Sequence, residues 1–208
     1  MPRKTHTRKD PRKGKKEFST NKGFTVIELL IAVAVLAIIT SLALPSYRAI
    51  LEKRQVTSGA EQIMAFLSSA QMEAVKRNQF VAVNFQPNGG DWCFGMTSGD
   101  DEDVTCNCSD GSCLLDGAER TIFSSTLSKP EVLVLNGIDF GNADGDKQTI
   151  LFDPVRGMTV LAESASVQLI SPDQETWALN VEMVPTGRVK ICADDRSSKS
   201  VPGYKECQ

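Results

Sequence analysis

The six cysteines, at positions 93, 106, 108, 113, 192 and 207, are the residues best equipped for chemistry. Their thiols could hold zinc or close disulfides. Zinc suits the pattern poorly. Cys106, Cys108 and Cys113 are clustered but lack the CxxC spacing of structural zinc sites, and the one histidine, His6, lies close to the N-terminus. An even number of cysteines in an exported segment reads instead as a disulfide framework, because an oxidising compartment keeps thiols paired. Cys192 with Cys207 is the pair the spacing favours, closing a short C-terminal loop. The pairing of the other four stays open. No metal and no cofactor is expected.

Glu28 is the second residue of interest. From Phe24 to Leu44 the sequence has 21 residues whose only charge is this carboxylate. A glutamate at membrane depth costs several kcal/mol unless it is paired or protonated, so it is functional by default. Enzymatic chemistry has little to work with. After His6 there is no histidine, and no G-x-S-x-G, HExxH or S-x-x-K catalytic context is present, so a non-enzymatic protein is expected. Asn142-Ala143-Asp144-Gly145-Asp146 suggests a calcium loop, but Phe140 stands where the first EF-hand ligand belongs and no glutamate follows at the required distance. It reads as a turn.

These residues are positioned by three kinds of segment. Residues 1–23 carry nine basic groups against Asp10 and Glu17, a charge of +7, and the whole chain is at −3, which leaves −10 for residues 24–208. A basic flank ahead of an apolar stretch keeps the N-terminus in the cytoplasm and exports the C-terminal part of the chain. The 21 apolar residues suffice to cross a hydrocarbon core of about 30 Å at about 1.5 Å per residue. They are too many for a secretory signal core, and no small-x-small cleavage site follows them.

Helical spacing continues past the apolar run through Tyr47, Ile50, Leu51, Ala60, Ile63, Met64, Leu67, Ala70, Ala74 and Val75. One helix is expected from Thr25 to about Asn78, roughly 80 Å long, bent at Pro45 and loosened at Gly59. Its second half is amphipathic and must cover a sheet. Strands are expected at Phe80–Phe85, Glu119–Ser124, Glu131–Leu135, Gln148–Phe152, Thr159–Ala162, Ser166–Ser171, Trp177–Val184 and Arg188–Cys192. Turns are expected at Pro87-Asn88-Gly89-Gly90, Asn142–Gly145 and Pro185–Gly187. The fold class is α+β: a long N-terminal helix, transmembrane in its first half, packed on an antiparallel β-sheet or sandwich head.

Lys22-Gly23-Phe24-Thr25-Val26-Ile27-Glu28-Leu29-Leu30 resembles the processing site of type IV pilins and type II secretion pseudopilins. The resemblance implies that a prepilin peptidase cuts after Gly23 and methylates the new terminal Phe24. Glu28 then becomes the fifth mature residue, and Pro45 takes the place of the family's helix-bending proline. It also implies an assembly role for Glu28, whose carboxylate would pair with the α-amino group of a neighbouring subunit and so relieve its burial cost.

The head resembles the GspH/FimT group. The residues that carry this are Trp92-Cys93-Phe94-Gly95, the Cys106, Cys108 and Cys113 cluster, Phe152-Asp153-Pro154-Val155-Arg156-Gly157, and Gly187-Arg188-Val189-Lys190-Ile191-Cys192. One branch of that group binds DNA in natural transformation through a Gly-Arg-x-Arg element. Here Lys190 replaces the second arginine, keeping the charge without the planar fork. Arg188, Lys190, Arg196 and Lys199 are the candidate DNA contacts, opposed by Asp194, Asp195, Glu206 and the −10 charge.

The expected organisation is therefore a leader at 1–23, a transmembrane part of the helix at 24–44, its amphipathic part at 45–78, and a periplasmic β-rich head at 79–208. The expected function is that of a minor pilin or pseudopilin of a type II secretion or type IV pilus machine, with a DNA-binding minor pilin as the alternative. Its expected partners are other pilins, the prepilin peptidase, an inner-membrane assembly platform and the membrane itself, with DNA added under the alternative. The expected location is the bacterial inner membrane, single-pass, with the head in the periplasm, and then the pilus or pseudopilus.

Overall fold

The structure, a computed structural model, describes residues 23–88, 91–124, 134–139, 149–160, 164–171, 177–193 and 200–207. Most of the leader, the turn at Asn142–Gly145, Arg196 and Lys199 lie outside the described residues. The chain divides into two compact units at Leu44/Pro45.

Helix α1 spans Val26–Arg77, one residue short of expectation at each end. Thr25 caps its start: the Thr25 hydroxyl accepts from the Glu28 amide at 3.3 Å and the Thr25 carbonyl from the Leu29 amide at 3.2 Å. At the other end Asn78 takes a positive φ of 51°. The Asn78 amide then donates to the Val75 carbonyl and the Gln79 amide to the Ala74 carbonyl. This is the Schellman arrangement, which satisfies carbonyls that the last helical turn leaves free.

The second unit is the head. Its strands are β1 Phe80–Asn88, β2 Asp91–Gly99, β3 Leu114–Leu115, β4 Ala118–Glu119, β5 Thr121–Phe123, β6 Val134–Asp139, β7 Thr149–Phe152, β8 Ala165–Ile170, β9 Ala178–Met183 and β10 Val189–Ala193. They form one sheet in the order β5-β2-β1-β7, a second in the order β10-β9-β8-β6, and a short β3-β4 ribbon. All these strand pairs are antiparallel.

Both sheets share one core with the helix. Val56, Ala60, Ile63, Leu67, Ala70 and Ala74 recur every three or four residues and are all buried, as one face of a helix against a sheet requires. Against them pack Val83, Phe94, Phe152, Leu169, Leu179 and Met183. Burying each large side chain contributes about 1.5–3 kcal/mol. Phe94 also meets Phe85 and Trp92 with ring centroids 5.0 and 5.8 Å apart.

The buried stripe differs from the expected one at its edges. Val56 belongs to it, whereas Tyr47, Ile50, Leu51 and Val75 are exposed. Val75 sits about 100° around the helix from Ala74, off the buried face. Three strand expectations also change. β2 was not foreseen as a strand. Glu119–Ser124 is divided at Arg120, whose amide donates to the Cys113 carbonyl and whose carbonyl accepts from the Met96 amide. Thr159 makes an isolated bridge to Phe152, with its amide and hydroxyl both turned to the Pro185 carbonyl; Leu161 and Ala162 of that expected strand lie outside the described residues.

Candidate assembly site

The segment around Glu28 shows its apolar groups on every side. Phe24 is 85% exposed, and Val26, Ile27, Leu29, Leu30, Ile31, Val33, Leu36, Ile38, Ile39 and Leu42 are exposed as well. The helix is long and apolar enough there to cross a membrane, and its most apolar stretch has no burial within the chain. A continuous apolar surface of this size needs a lipid or protein cover. Thr25-Val26-Ile27-Glu28 also has the sequence form of a capping box, with the acidic residue in the first turn where the helix dipole favours it. Sequence reasoning missed this local role. Pro45 lies within α1.

The cysteines form three disulfides: Cys93–Cys108, Cys106–Cys113 and Cys192–Cys207. Cys192–Cys207 is the pair that the spacing favoured. Cys108 and Cys113 are fully buried against the outer face of β2. Gly95 permits this approach, since a Cβ there would collide with the Cys113 sulfur and with Cys108. Asn84 fixes the same region from β1. Its amide group donates to the hydroxyls of Thr105 (2.9 Å) and Thr149 (2.6 Å), and its carbonyl accepts from the Cys106 amide (3.1 Å). With their sulfurs in disulfides, the cysteines offer no thiolate to a metal.

Two turns meet on the helix at Gln71. The Asp153 carboxylate accepts from the amides of Val155 (2.7 Å) and Arg156 (2.9 Å), folding Asp153–Gly157 into a turn. Gln71 donates to the Gly157 carbonyl at 2.7 Å. Gly187, with φ +82°, comes so close that a Cβ would strike Gly157 and the Gln71 amide. The two glycine-bearing head motifs thus make one structural junction. Gln71 gave no signal in the sequence beyond lying on a helix.

That junction presents Arg188 to solvent. Lys190 is engaged otherwise: it faces Glu182 across the β9–β10 pair, with its ammonium 2.6 Å from that carboxylate. Among the described residues, therefore, the structure does not gather a free cationic patch from Arg188 and Lys190.

A second polar anchor joins the end of the helix to the β3-β4 ribbon. Arg77 donates through two nitrogens to both carboxylate oxygens of Asp116, each at 2.5 Å, and through a third to Glu73 at 2.7 Å. The hydrogen bonds from Arg77 hold Glu73 and Asp116 below their ordinary values, while Asp116 and then Glu73 raise Arg77.

With this geometry in view, comparison with known proteins is decisive for the head. A family model described as "Type II transport protein GspH" matches residues 59–187, more than half of the chain. The chain belongs to the GspH family. A second model, "Prokaryotic N-terminal methylation motif", matches residues 18–44 and so overlaps the Gly23-Phe24-Glu28 segment. By these two matches the GspH chain is a member of a minor pilin and pseudopilin family, whose subunits are typically non-enzymatic. Two fimbrial proteins of Pseudomonas aeruginosa are similar, one 28% identical over 52% of this GspH-family chain and 61% of its own length, the other 33% identical over 29% and 40%. The alignments thus span less than two thirds of either relative. Two crystal structures of the P. aeruginosa type IV minor pilin FimU align over 70% and 73% of this chain and 98% of each of theirs, with TM-scores of 0.43 and 0.46 and identities of 14% and 13%.

Proposed function

We propose that this chain is a minor pilin or pseudopilin of a type II secretion or type IV pilus machine, matured by cleavage after Gly23 and methylation of Phe24. The observation that carries the reading is the juxtaposition, within the segment matched by the methylation motif, of Gly23-Phe24, Glu28 and a helix with unburied apolar groups. In the membrane, lipid covers that surface and the basic leader holds the N-terminus in the cytoplasm. Cleavage creates a cationic amine on Phe24. As a subunit leaves the lipid, packing against neighbouring helices replaces the lipid contacts, and Glu28 sets the register by pairing with a neighbour's amine. The head then lies on the periplasmic side, where its three disulfides are stable. Other pilins, the peptidase and an inner-membrane platform are the partners of this cycle. The engagement of Lys190 by Glu182 weighs against the DNA-binding alternative.

Mass spectrometry of the membrane protein tests the processing step. The expected chain starts at N-methylated Phe24, and Gly23→Val leaves the longer form. Recovery of the uncut chain alone from cells with active peptidase would refute the reading.

A further inference from the structure

Helical spacing assigns Tyr47 and Ile50 to the face that covers the sheet, yet they are 59% and 48% exposed. With Arg54 they fall at i, i+3 and i+7, which places all three on one face of α1. That face runs into a groove of about 780 Å³, with Ile50, Lys53, Arg54 and Thr57 on the helix side and Tyr204 opposite. Glu61 lines the groove about 10 Å farther along the helix than Arg54, and its carboxylate accepts a hydrogen bond from the Tyr204 hydroxyl at 3.0 Å. Lys53 lies 5.7 Å from the centre of the Trp177 ring, so an aromatic wall holds its ammonium without neutralising it. Arg54 is exposed, and neither cation has an ion-pair partner among the described residues.

The position of these cations in the chain is unusual. Residues 24–208 sum to −10, but residues 45–60 carry Arg48, Lys53 and Arg54 against Glu52 alone. Cations close behind an apolar span on its exported side work against the positive-inside bias, so they call for a partner of opposite charge. Lys53 and Arg54 follow Pro45 by eight and nine residues, about 12–14 Å of helix. The polar layer of a bilayer adds about 5–8 Å beyond the hydrocarbon on each side. Side chains on a helix lean toward its N-terminus, and a long cationic stem carries its charge several ångströms that way. With the span ending at Leu44, lipid phosphates come within reach. Tyr47 is the amphipathic ring type that settles at headgroup level.

We propose that the Lys53/Arg54 end of this groove binds the phosphate of an anionic phospholipid in the leaflet that faces the head, with Tyr47 and Ile50 lying against the lipid's glycerol and upper acyl chain. The proposal rests on the membrane-anchored reading given above and adds to it a hold on the head that is selective for lipid class. A free phosphate could meet the two cations but would leave Tyr47 and Ile50 uncovered, so the lipid is the occupant. Anionic lipid attracts cations placed next to a span, and a zwitterionic lipid does so far less. A subunit leaving the membrane must then release a lipid from its head as well as from its span.

The test places the full-length chain in nanodiscs of phosphatidylcholine alone or mixed with phosphatidylglycerol and reads tryptophan emission. Both tryptophans, Trp92 and Trp177, belong to the head, so lipid held by the basic leader does not register. Phosphatidylglycerol should shift the emission as Lys53 turns from the Trp177 ring toward the phosphate, and salt should reverse the shift. Inorganic phosphate added to phosphatidylcholine discs should not reproduce it. Arg54→Gln, an exposed change that spares the Lys53–Trp177 contact, should weaken the response several-fold at unchanged head melting, and Arg54→Lys should keep most of it. The lipid site is wrong if phosphatidylcholine gives the same emission, if inorganic phosphate reproduces the shift, or if Arg54→Gln responds as wild type. A chain that starts at Phe24 and co-purifies with other pilins but fails this test loses the lipid site alone. A chain that passes it but is neither processed nor associated with pilins loses the pilin reading alone.

Discussion

The two halves of α1 differ in apolar content and in how their apolar groups are covered. Residues 26–43 show apolar side chains around the whole circumference and bury none of them in the chain, whereas residues 56–74 bury one stripe under two sheets. The second half is rich in buried alanine, with Ala60, Ala70 and Ala74 admitting close approach of the sheets. The first half is made of Ile, Leu and Val whose contacts must come from lipid or from other helices. One helix thus carries two apolar surfaces, and the described residues of this chain cover only one of them.

Paired substitutions should break this comparison if it is wrong. Leu67→Ala or Ile63→Ala removes fully buried groups and should cost about 2–5 kcal/mol of head stability. Leu36→Ala and Glu28→Ala should leave head unfolding unchanged in detergent. In cells the order reverses: Glu28→Ala should insert normally yet enter filaments or assembly complexes poorly. Denaturant melts of purified full-length variants, set beside their recovery in assembled fractions, give both readings. Unchanged incorporation of Glu28→Ala would remove the carboxylate as the register device.

A next largest effect is expected inside the head, at the disulfides. Each of Cys93–Cys108 and Cys192–Cys207 closes a 15-residue separation, for which chain entropy alone gives about 3 kcal/mol. Replacing Cys93 and Cys108 together by serine should lower head stability by that order, and more if the buried hydroxyls lack partners. Without reductant, all six sulfurs should resist alkylation. A native head with more than one free thiol would contradict the framework.

The legibility of these features follows from how many faces each element buries. The helix was readable because its periodicity persists from Val56 to Ala74, and β8 and β9 because most of their residues alternate between buried and half-buried. β2 was not, since Trp92, Phe94 and Met96 face the core while Cys93 and Gly95 lie under the disulfide-bonded segment; with both faces covered, alternation disappears. Thr159 had a strand-like side chain, but it is drawn to a turn 26 residues away in sequence. The Cys93–Cys108 and Cys106–Cys113 pairing depended on the same missing strand. Gln71, Asn84 and the Arg77–Asp116 pair were silent because single polar contacts between distant segments have no periodic signature. The motifs around Gly157 and Gly187 were visible, but their role as one junction required seeing the two turns meet.

The smallest expected effect concerns how the second half of the helix is pinned at its end. Arg77 bridges Glu73 on the helix and Asp116 on the ribbon, and it holds both carboxylates below their ordinary values of 4.5 and 3.8. A carboxylate whose pKa is lowered by folding stabilises the native state above its unfolded pKa. That contribution is lost as pH falls through the lower, folded value. Stability from this anchor should therefore be level near neutral pH and decline below about 4.5. Asp116 is 72% exposed, so solvent and salt screening keep the effect small. Asp116→Asn isolates the charge, because asparagine also tolerates the positive φ of 56° at this position. Thermal melts of wild type and Asp116→Asn from neutral pH down to about 3 should converge at the acid end and differ most near neutrality. Parallel curves across the range would show that the pair does not couple to folding. Salt should narrow the neutral gap, and the core variants Leu67→Ala and Ile63→Ala should not respond to it.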